Sequence, residues 1–422
     1  MDKKISTMRG IVKGFANAMN LLQPEIHSHH QQVAYLSYNI ADKMGYDESD
    51  RLMIIYASLF HDAGLSILPE TDEEGKKITY KFSEITEAGA SIIGESPKFN
   101  FIRKVMLAGR FSDKMDDLSF AMADDMKKAF IFSQIICLAN AVSEMIDYKR
   151  SALNQIPDIC EEISEMAGNE ISAEVIEAFL TLQDVEYMWM NLLHMPDAYL
   201  EYIPANRDVS LDETIEYSRI MSRIIDYRSS YTAMHSSGVV VPAVRLAELI
   251  GMSEEECKKI MIAGYLHDIG KLTIPKSILN KNDKLTDEEF NVVKEHAYYT
   301  YILLKDIPGF EQIRDWAGLH HEKLDGAGYP FGLKADDIPM GARIMAVADI
   351  FSAVAEIRPY RAGMSKEEVI KVLHDGALDG ALSRYIVELM ITNYDDIYEK
   401  RDIEVRNEGA RYYAAVVNSD EE

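Results

Sequence analysis

The sequence predicts an all-α protein, and three observations support that fold class. The 422 residues include only 12 prolines, which leaves room for many uninterrupted helices. Apolar residues recur at intervals of three and four, as in Val33, Leu36, Ile40 and Met44. Strict apolar–polar alternation, the pattern of a half-buried strand, is scarce. These features together favour helices packed on helices.

Composition excludes several classes of protein. The chain carries 44 Lys and Arg against 70 Asp and Glu, a formal net charge of -26. Such a charge argues against binding nucleic-acid polymers or an anionic membrane surface, both of which need cationic patches. No apolar run approaches the roughly 18–20 residues that cross a bilayer. Three well-separated cysteines give no disulfide framework, so we expect a cytoplasmic protein.

The first predicted element is an amphipathic helix. Ile11, Phe15 and Met19 recur at helical spacing, and Leu22 follows them. The stretch has no continuous apolar segment, so we do not interpret it as a secretory signal.

An internal repeat organises the rest of the chain. The series His29, Gly45, His61-Asp62 and Gly64 recurs 206 residues later, and farther on the offset drifts to about 209. The recurring residues are His235, Gly251, His267-Asp268 and Gly270. We therefore predict two copies of one helical domain, over residues 1–205 and 206–422. Pro242 falls inside a predicted helix of the second copy, where we expect a kink or a boundary.

Histidines and acidic residues of the second copy suggest a metal centre. The segment "CKKIMIAGYLHDIGK" is an apolar helix with His267 and Asp268 in its last turn and Gly270 as its stop. Successive helical residues point about 100° apart, so the imidazole can bind one ion while the carboxylate bridges to a second. Imidazole and carboxylate ligands without thiolates suit iron, manganese or zinc better than calcium or magnesium.

Two such ions would suit the hydrolysis of a phosphodiester. Ions about 3.5–4 Å apart can hold a bridging hydroxide and brace both the attacking and the leaving oxygen. Lys271, directly after "HDIG", can donate to a phosphate oxygen. The alternative role for Lys271 is a helix-end lysine that interacts with the helix dipole.

A set of separated motifs now identifies a family resemblance. "HDIGKLTIPKSILNK", "EH", "HHEKLDGAGYP", "ARIMAVAD" and "RPYR" occur in this order over residues 225–380. Together they resemble the HD-GYP family of cyclic-dinucleotide phosphodiesterases of bacterial signalling, a branch of the HD metal-dependent phosphohydrolases. The resemblance implies two tandem HD-type helical domains, a degenerate one over 1–205 and a catalytic HD-GYP domain over 206–422.

The resemblance also implies a site with two divalent ions, iron or manganese before other transition metals. One ion would be held by His235, His267, Asp268 and Asp349. The other would be held by Asp268 as a bridge and by His296, His320 and His321.

Further residues carry roles in catalysis and substrate binding by the same resemblance. Asp268 and Lys271 would be catalytic, and Lys271 would also contact the scissile phosphate. Tyr329, in the "GYP" loop, would shape the rim of the pocket, and Arg358 and Arg361 would bind phosphate or guanine.

Some relatives use a third metal, helped by an acidic residue four positions before the first histidine. Here that position is Tyr231, so we predict two metals, although Asp226 lies nearby in sequence.

The first copy has lost most of the corresponding residues. By the repeat, Lys271 pairs with Leu65, Asp349 with Asn140, and His320 and His321 with Phe111 and Ser112. His296 maps to the span 87–90, which holds no histidine.

We therefore expect a degenerate domain for regulation, dimerisation or scaffolding, with a second copy of the chain or a signalling protein as its partner. A mononuclear site at His29, His61 and Asp62 is the alternative, because three protein ligands can hold a transition metal. His27 and His30 are expected to point away from that group.

The leading functional hypothesis is a metal-dependent phosphodiesterase. It would hydrolyse cyclic di-GMP or 3′3′-cyclic GMP-AMP to a linear dinucleotide through a metal-bridging hydroxide. The alternative is a non-catalytic cyclic-dinucleotide sensor or interaction protein. A third hypothesis, an HD nucleotidase acting on mononucleotides, is disfavoured by the "GYP" segment.

Overall fold

The structure is a computed structural model that describes residues 4–72, 74–94, 96–109, 123–168, 171–230, 232–356 and 363–420. Within these ranges helices dominate, and the two strands β1 (Lys4–Thr7) and β2 (Asp208–Ser210) form one antiparallel pair. The prediction of an all-α protein is confirmed. Among the described helices, none is both long and apolar enough to cross a lipid bilayer.

The described helices follow one another with short connections. In chain order they are α1 (Met8–Met19), α2 (His29–Lys43), α3 (Glu48–Phe60), α4 (Phe82–Ile93), α5 (Asn100–Ala108), α6 (Asp124–Met145), α7 (Ala152–Glu165), α8 (Ala173–Leu180), α9 (Glu186–His194), α10 (Leu211–Asp226), α11 (His235–Ile250), α12 (Glu254–Leu266), α13 (Lys276–Leu279), α14 (Asp287–Lys305), α15 (Glu311–Gly318), α16 (Met340–Ala355), α17 (Lys366–Leu378), α18 (Arg384–Thr392) and α19 (Tyr394–Asp420). Short 3₁₀ segments lie at Asn20–Leu22, Ala63–Ser66, Ala198–Tyr202, Ile269–Thr273 and Ala335–Asp337.

The chain divides into two compact units. The C-terminal unit comprises Met1–Gly14 and Asp208–Ala414, and the N-terminal unit comprises Phe15–Arg207 and Ala415–Glu422. The predicted domains are 1–205 and 206–422, and the units differ from them at both ends of the chain. Internal duplication of the domain stays a prediction.

The first residues of the chain belong to the C-terminal unit because β1 pairs with β2, with Ser6 opposite Val209. Helix α1 then passes close to the turn that follows α14. A Cβ on Gly10 would lie 2.5 Å from Pro308 Cδ, and one on Gly14 would lie 2.4 Å from Ile307 Cδ1. The absence of side chains at these two positions therefore permits the close approach.

The C-terminal unit is built around α16, whose apolar face is fully buried. Ile344, Met345, Val347 and Phe351 of this helix have no exposed surface. Helix α11 packs on α12 and on α16, and α12 packs on α15. This arrangement brings the ends of several helices to one place.

Pro242 lies inside α11, which continues from His235 to Ile250. Of the two outcomes expected at Pro242, a helix boundary is therefore wrong, and a kink stays a prediction. Proline has no N–H, so the carbonyl four residues earlier, that of Gly238, loses its helical donor. Ser352 on α16 replaces that donor, since its Oγ donates to Gly238 O at 2.7 Å. A tertiary hydrogen bond thus satisfies the carbonyl that the proline leaves free.

Capping motifs fix the starts of helices that lead to the site. Ser253 and Glu256 form a capping box at the start of α12, and Thr286 and Glu289 form another at the start of α14. Each box satisfies two backbone donors at a helix start. The caps set where each helix begins and hence which residue it places at its far end.

One glycine contact recurs in the two units. A Cβ on Gly270 would lie 2.0 Å from His296 O, and a Cβ on Gly64 would lie 2.0 Å from Ile85 O. Only glycine permits a helix backbone to approach so closely. By this contact Ile85, and not a residue of the predicted span 87–90, stands where His296 stands in the C-terminal unit.

Candidate metal centre

The centre begins where α12 ends. His267 directly follows Leu266, and the next residue, Asp268, precedes the 3₁₀ segment Ile269–Thr273. His267 Nδ1 lies 2.8 Å from Gly264 O and donates to it. A carbonyl oxygen can only accept, so this contact assigns the ring proton to Nδ1. In the neutral ring, His267 Nε2 therefore presents its lone pair to the interior.

Two further histidines are held in the same way. His296 Nδ1 lies 2.5 Å from Val293 O, and His320 Nδ1 lies 2.6 Å from Ala317 O. In each case the acceptor is the carbonyl three residues earlier on the same helical segment. Backbone carbonyls commonly orient metal-binding imidazoles in this manner. The two Nε2 atoms face each other at 3.4 Å.

Asp268 lies between two groups of ligands. Its Oδ2 is 3.2 Å from His267 Nε2 and 3.7 Å from His235 Nε2. Its Oδ1 is 3.5 Å from His296 Nε2. The two oxygens of one carboxylate thus face different sets of imidazoles, which is the arrangement of a bridging ligand.

The seven residues predicted to bind metal converge in the structure. Within each of two groups, all the candidate ligand atoms lie no more than 4.8 Å apart. One group is His235, His267 and Asp268, and the other is His296, His320 and His321. Asp349 joins the first group, since its Oδ1 lies 3.1 Å from His235 Nε2.

The donor atoms fit divalent transition metals. His267 Nε2 is buried and faces the carboxylate of Asp268, with no hydrogen-bond donor beside it in the described part of the chain. A buried nitrogen of this kind is costly unless a cation or a proton satisfies it. Imidazole nitrogens with carboxylate oxygens are the ligand types that iron, manganese and zinc accept. The structure therefore supports metal binding here.

Burial and charge set the protonation of the metal-free site. Burial lowers the pKa of His267, but the carboxylate of Asp268 raises it more, to about 9. Burial dominates at His296 and lowers its pKa to about 3, and it also lowers the pKa of His320. Burial disfavours the charged form of Asp268, yet His267 and Lys271 outweigh it and hold the pKa of that carboxyl well below its usual range. Without ions, a proton on His267 therefore balances part of the negative charge.

Lys271 contacts the same carboxylate. Its Nζ lies 2.5 Å from Asp268 Oδ2, and its side chain is 18% exposed. The ammonium group is thus at the site and still reachable from outside. The contact of Lys271 with a phosphate stays a prediction.

The "GYP" loop lies beside the second group of ligands. The Tyr329 ring is 4.8 Å from the ring of His321, and the Tyr329–Pro330 peptide is cis. Gly328 is required here, since a Cβ would lie 2.3 Å from Lys323 N. Tyr329 is therefore close enough to form part of the pocket rim.

Sequence reasoning missed the residue that holds this loop. The buried carboxylate of Glu322 accepts hydrogen bonds from the backbone N–H groups of Phe331 at 2.7 Å, Gly332 at 3.2 Å and Leu333 at 2.9 Å. Its position directly after His320 and His321 was a signal that could have found it. Glu322 links the ligand-bearing segment to the loop.

Two more acidic residues lie near His235. Asp226 accepts from the backbone N–H and the hydroxyl of Ser236, and burial raises the pKa of Asp226 to about 7. Glu356 Oε2 lies 4.0 Å from His235 Nδ1. Glu356 was also missed, although it follows Asp349 by seven residues at the end of the same helix.

Three residues named in the sequence analysis, Arg358, Arg361 and Tyr231, lie outside the described residues.

The N-terminal unit holds a second histidine cluster. His29, His61 and Asp62 lie together, and Asn140 Oδ1 is 3.1 Å from His61 Nε2. Leu65, the counterpart of Lys271, brings no charge, and Phe111 and Ser112 lie outside the described residues.

The predictions for the two neighbouring histidines had different outcomes. His27 is exposed and packs against Tyr148. His30, predicted to point away, does not, because its Nε2 lies 3.5 Å from Asp62 Oδ2. The rings of His29 and His30 lie 5.3 Å apart, and the same oxygen of Asp62 faces both of them.

Comparisons with known proteins support the family assignment. Residues 219–382 match the family model described as HD domain. Over 404 residues the chain is 26% identical to the 3′3′-cGAMP-specific phosphodiesterase 1 of Vibrio cholerae serotype O1, with 91% of each chain covered. It is 41% identical over 156 residues to the cyclic di-GMP phosphodiesterase response regulator RpfG of Xanthomonas campestris pv. campestris, which covers 36% of this chain and 41% of that protein.

The fold is also similar to a solved structure. The crystal structure of a cyclic GMP-AMP-specific phosphodiesterase of V. cholerae (V-cGAP3) superposes with a TM-score of 0.59 at 19% identity, covering 92% of this chain and 98% of that one. Because identity is low, this likeness concerns the fold alone. Residues 219–382 of this chain match the HD-domain model, and the chain is similar in sequence to phosphodiesterases of 3′3′-cGAMP and of cyclic di-GMP.

Proposed function

We propose that the C-terminal unit is a phosphodiesterase that hydrolyses a cyclic dinucleotide with the help of two divalent transition-metal ions. The observation that carries the proposal is the position of Asp268, whose two oxygens face two separate groups of imidazoles. The names of the relatives supply the substrate class, because they are phosphodiesterases of 3′3′-cGAMP or of cyclic di-GMP.

Each ion would have its own set of ligands. The first would be bound by His235, His267, Asp268 and Asp349, and the second by Asp268, His296, His320 and His321. The nitrogen and oxygen donors, without thiolate, favour iron or manganese among the transition metals. When bound, the ions would polarise water and neutralise charge on the phosphodiester.

The protein's own residues would position the substrate. Lys271, reachable from outside and protonated beside Asp268, would donate to a non-bridging phosphate oxygen. Tyr329 offers a half-buried ring beside His321 on which a nucleobase can stack. Arg358 and Arg361 remain the predicted contacts for phosphate or guanine. Both 3′3′-cyclic GMP-AMP and cyclic di-GMP are proposed substrates, with a linear dinucleotide as the product.

The test is hydrolysis by the full chain, reconstituted with iron or manganese under anaerobic conditions and assayed on both cyclic dinucleotides. We expect His267→Ala/Asp268→Ala to abolish turnover. The chain offers a matched control, since His374 and Asp375 form another adjacent His-Asp pair on the exposed side of α17. The His374→Ala/Asp375→Ala variant should keep full activity.

Binding and turnover distinguish the two main hypotheses. A chain that binds cyclic dinucleotide but does not hydrolyse it, with both ions present, would be a sensor, and the proposed activity would be wrong. Undiminished turnover in the His267→Ala/Asp268→Ala variant would also overturn the assignment. For the N-terminal unit we propose a regulatory or scaffolding role, with a second copy of the chain or a signalling protein as partner.

A further inference from the structure

The N-terminal unit contains a compact set of buried ligand atoms, here called the N-terminal histidine cluster: His29, His30, His61 and Asp62. All four side chains are at most 2% exposed. His29 Nε2 is 3.1 Å from His61 Nε2 and 3.3 Å from Asp62 Oδ2. His61 Nε2 is 3.2 Å from Asp62 Oδ1. Four polar groups thus meet in the interior of one unit.

Hydrogen bonds on the outer side of each ring fix which nitrogen carries the proton. His61 Nδ1 lies 2.6 Å from Ser58 O, which can only accept. His29 Nδ1 lies 2.9 Å from Ser143 Oγ. Because that hydroxyl donates its own proton to Gln32 Oε1 at 2.8 Å, it can only accept from His29. Both Nδ1 atoms are therefore donors, and both Nε2 atoms turn lone pairs inward.

His30 follows the same pattern. Its Nδ1 and its backbone N–H both lie 3.1 Å from Asn20 Oδ1. That leaves His30 Nε2 without a hydrogen-bond partner, facing Asp62 Oδ2 at 3.5 Å. A buried acceptor aimed at another acceptor is costly unless a cation lies near them. The inward lone pairs of His29 and His61 were the first indication of a cation site, and the unpartnered Nε2 of His30 is the second.

The surrounding groups supply little of that charge. Gln23 Nε2 donates to Asp62 Oδ2 at 2.9 Å, a neutral contact. Asn140 uses its amide nitrogen to donate to Glu144 Oε1 at 3.1 Å, so its Oδ1 adds another acceptor 3.1 Å from His61 Nε2. Among the described residues, no lysine or arginine forms a hydrogen bond or an ion pair with the cluster.

The spacing of the acceptors matches a coordination shell. With metal–nitrogen bonds of about 2.0–2.1 Å, two ligands of a tetrahedral ion lie roughly 3.3–3.4 Å apart. The two Nε2 atoms of His29 and His61 lie 3.1 Å apart, His29 Nε2 lies 3.3 Å from Asp62 Oδ2, and His61 Nε2 lies 3.2 Å from Asp62 Oδ1, so each imidazole faces its own oxygen of the carboxylate. Two imidazoles and one carboxylate are a known set for zinc and for iron.

We propose that the N-terminal unit binds one divalent transition-metal ion, such as zinc, through His29, His61 and Asp62. Asn140 Oδ1 is the fourth, neutral neighbour, and His30 lies beside the carboxylate. Leu65 and Ile85 stand where the C-terminal unit has Lys271 and His296, so the site offers ligands for a single ion and no cation for a phosphate. The ion is structural and stabilises the unit.

The test uses the full chain with the other centre disabled. In a background carrying His267→Ala, Asp268→Ala and His320→Ala, metal-stripped protein is reloaded with Zn²⁺ or Co²⁺ and the bound metal is counted. We expect one equivalent per chain, the intense visible absorption of tetrahedral or five-coordinate Co²⁺, and a rise in the melting temperature on loading. Adding Asp62→Asn or His61→Gln should remove all three effects. The matched control, His27→Ala, should retain them.

Two results would overturn the proposal: no metal retained by the background chain, or metal retained equally after Asp62→Asn and His61→Gln. If those variants fail to fold, proton NMR of the Co²⁺-loaded background chain decides. Two exchangeable, strongly shifted imidazole N–H signals support the site, and their absence rejects it. The proposed phosphodiesterase activity does not depend on the outcome.

Discussion

Lys271 donates to Asp268 across 2.5 Å, and this contact is what the N-terminal unit lacks, since Leu65 stands in the place of the lysine. Asp268 therefore has a cation on one oxygen and His296 beside the other. The lysine belongs to the proposed reaction site and is more than a surface charge.

Replacing Lys271 with methionine keeps the length of the side chain and removes its charge. We expect kcat to fall by about 10²–10³-fold, as when one preorganised donor to a developing charge is removed. Steady-state kinetics give kcat, and metal analysis should show that the ions remain. Lys366→Met, at an exposed ion pair with Asp395, is the control. An unchanged kcat for Lys271→Met would contradict the proposed role.

Metal binding should release a proton from His267. Because its pKa is raised to about 9, the protonated ring stabilises the metal-free fold below its usual pKa near 6.5, and that stabilisation is lost as pH rises through about 9. A metal ion must displace this proton, so its apparent affinity should rise with pH up to about 9.

Calorimetry at pH 8 in buffers of different ionisation enthalpy measures the number of protons released. At that pH Asp226, with its pKa of about 7, is mostly ionised and therefore has few protons to release when the metal binds. His296 and His320 are already neutral. We expect the unsubstituted chain to release about one proton more than the His267→Gln variant, which lacks the imidazolium proton. Release of no proton by the unsubstituted chain would show that His267 is neutral before the metal binds.

Glu322 should control the "GYP" loop through its carboxylate. In Glu322→Gln the side-chain nitrogen faces backbone N–H groups that need an acceptor. Hydrogen bonds to charged groups contribute about 1.5–3 kcal/mol each, so the loop should lose its fixed position and kcat/KM should fall. Hydrogen exchange of residues 331–333 measures the change directly. Glu367→Gln, at the exposed start of α17, is the control. Unchanged exchange in the Glu322→Gln variant would exclude this role.

Ser352 and Pro242 should be energetically coupled. Ser352→Ala leaves Gly238 O without a donor and should lower the free energy of unfolding by about 1–3 kcal/mol. In a Pro242→Ala background, residue 242 regains an N–H that can donate to Gly238 O. Ser352→Ala should therefore lower the free energy of unfolding by less in that background. A double-mutant cycle from denaturant unfolding measures the coupling. Additive effects would mean that the hydroxyl does not serve this carbonyl.

The sequence predicted the chemistry of the candidate site better than it predicted how the side chains pack. His267 and Asp268 could be singled out because adjacent polar residues at the end of an apolar helix are informative about a site, whereas His235 and His296 were assigned as ligands through the family resemblance. The direction of His30 could not be predicted, since helical geometry gives the angle between neighbours and not what lies between them.

Long-range partners explain the remaining differences. The continuity of α11 depends on a hydroxyl more than 100 residues away, at Ser352. His296 and Ile85 were matched because each carbonyl lies against a glycine, Gly270 or Gly64. This contact is made between segments far apart in the sequence, so comparing the two halves residue by residue could not reveal it.

The pairing of β1 with β2 makes the opening stretch of the polypeptide a component of the C-terminal unit. A truncated protein that starts at Asp208 would leave Val209 with an unpaired edge and would uncover the turn at Ile307 and Pro308. Anyone isolating that half for crystallisation or engineering should therefore graft residues 4–14 back onto it.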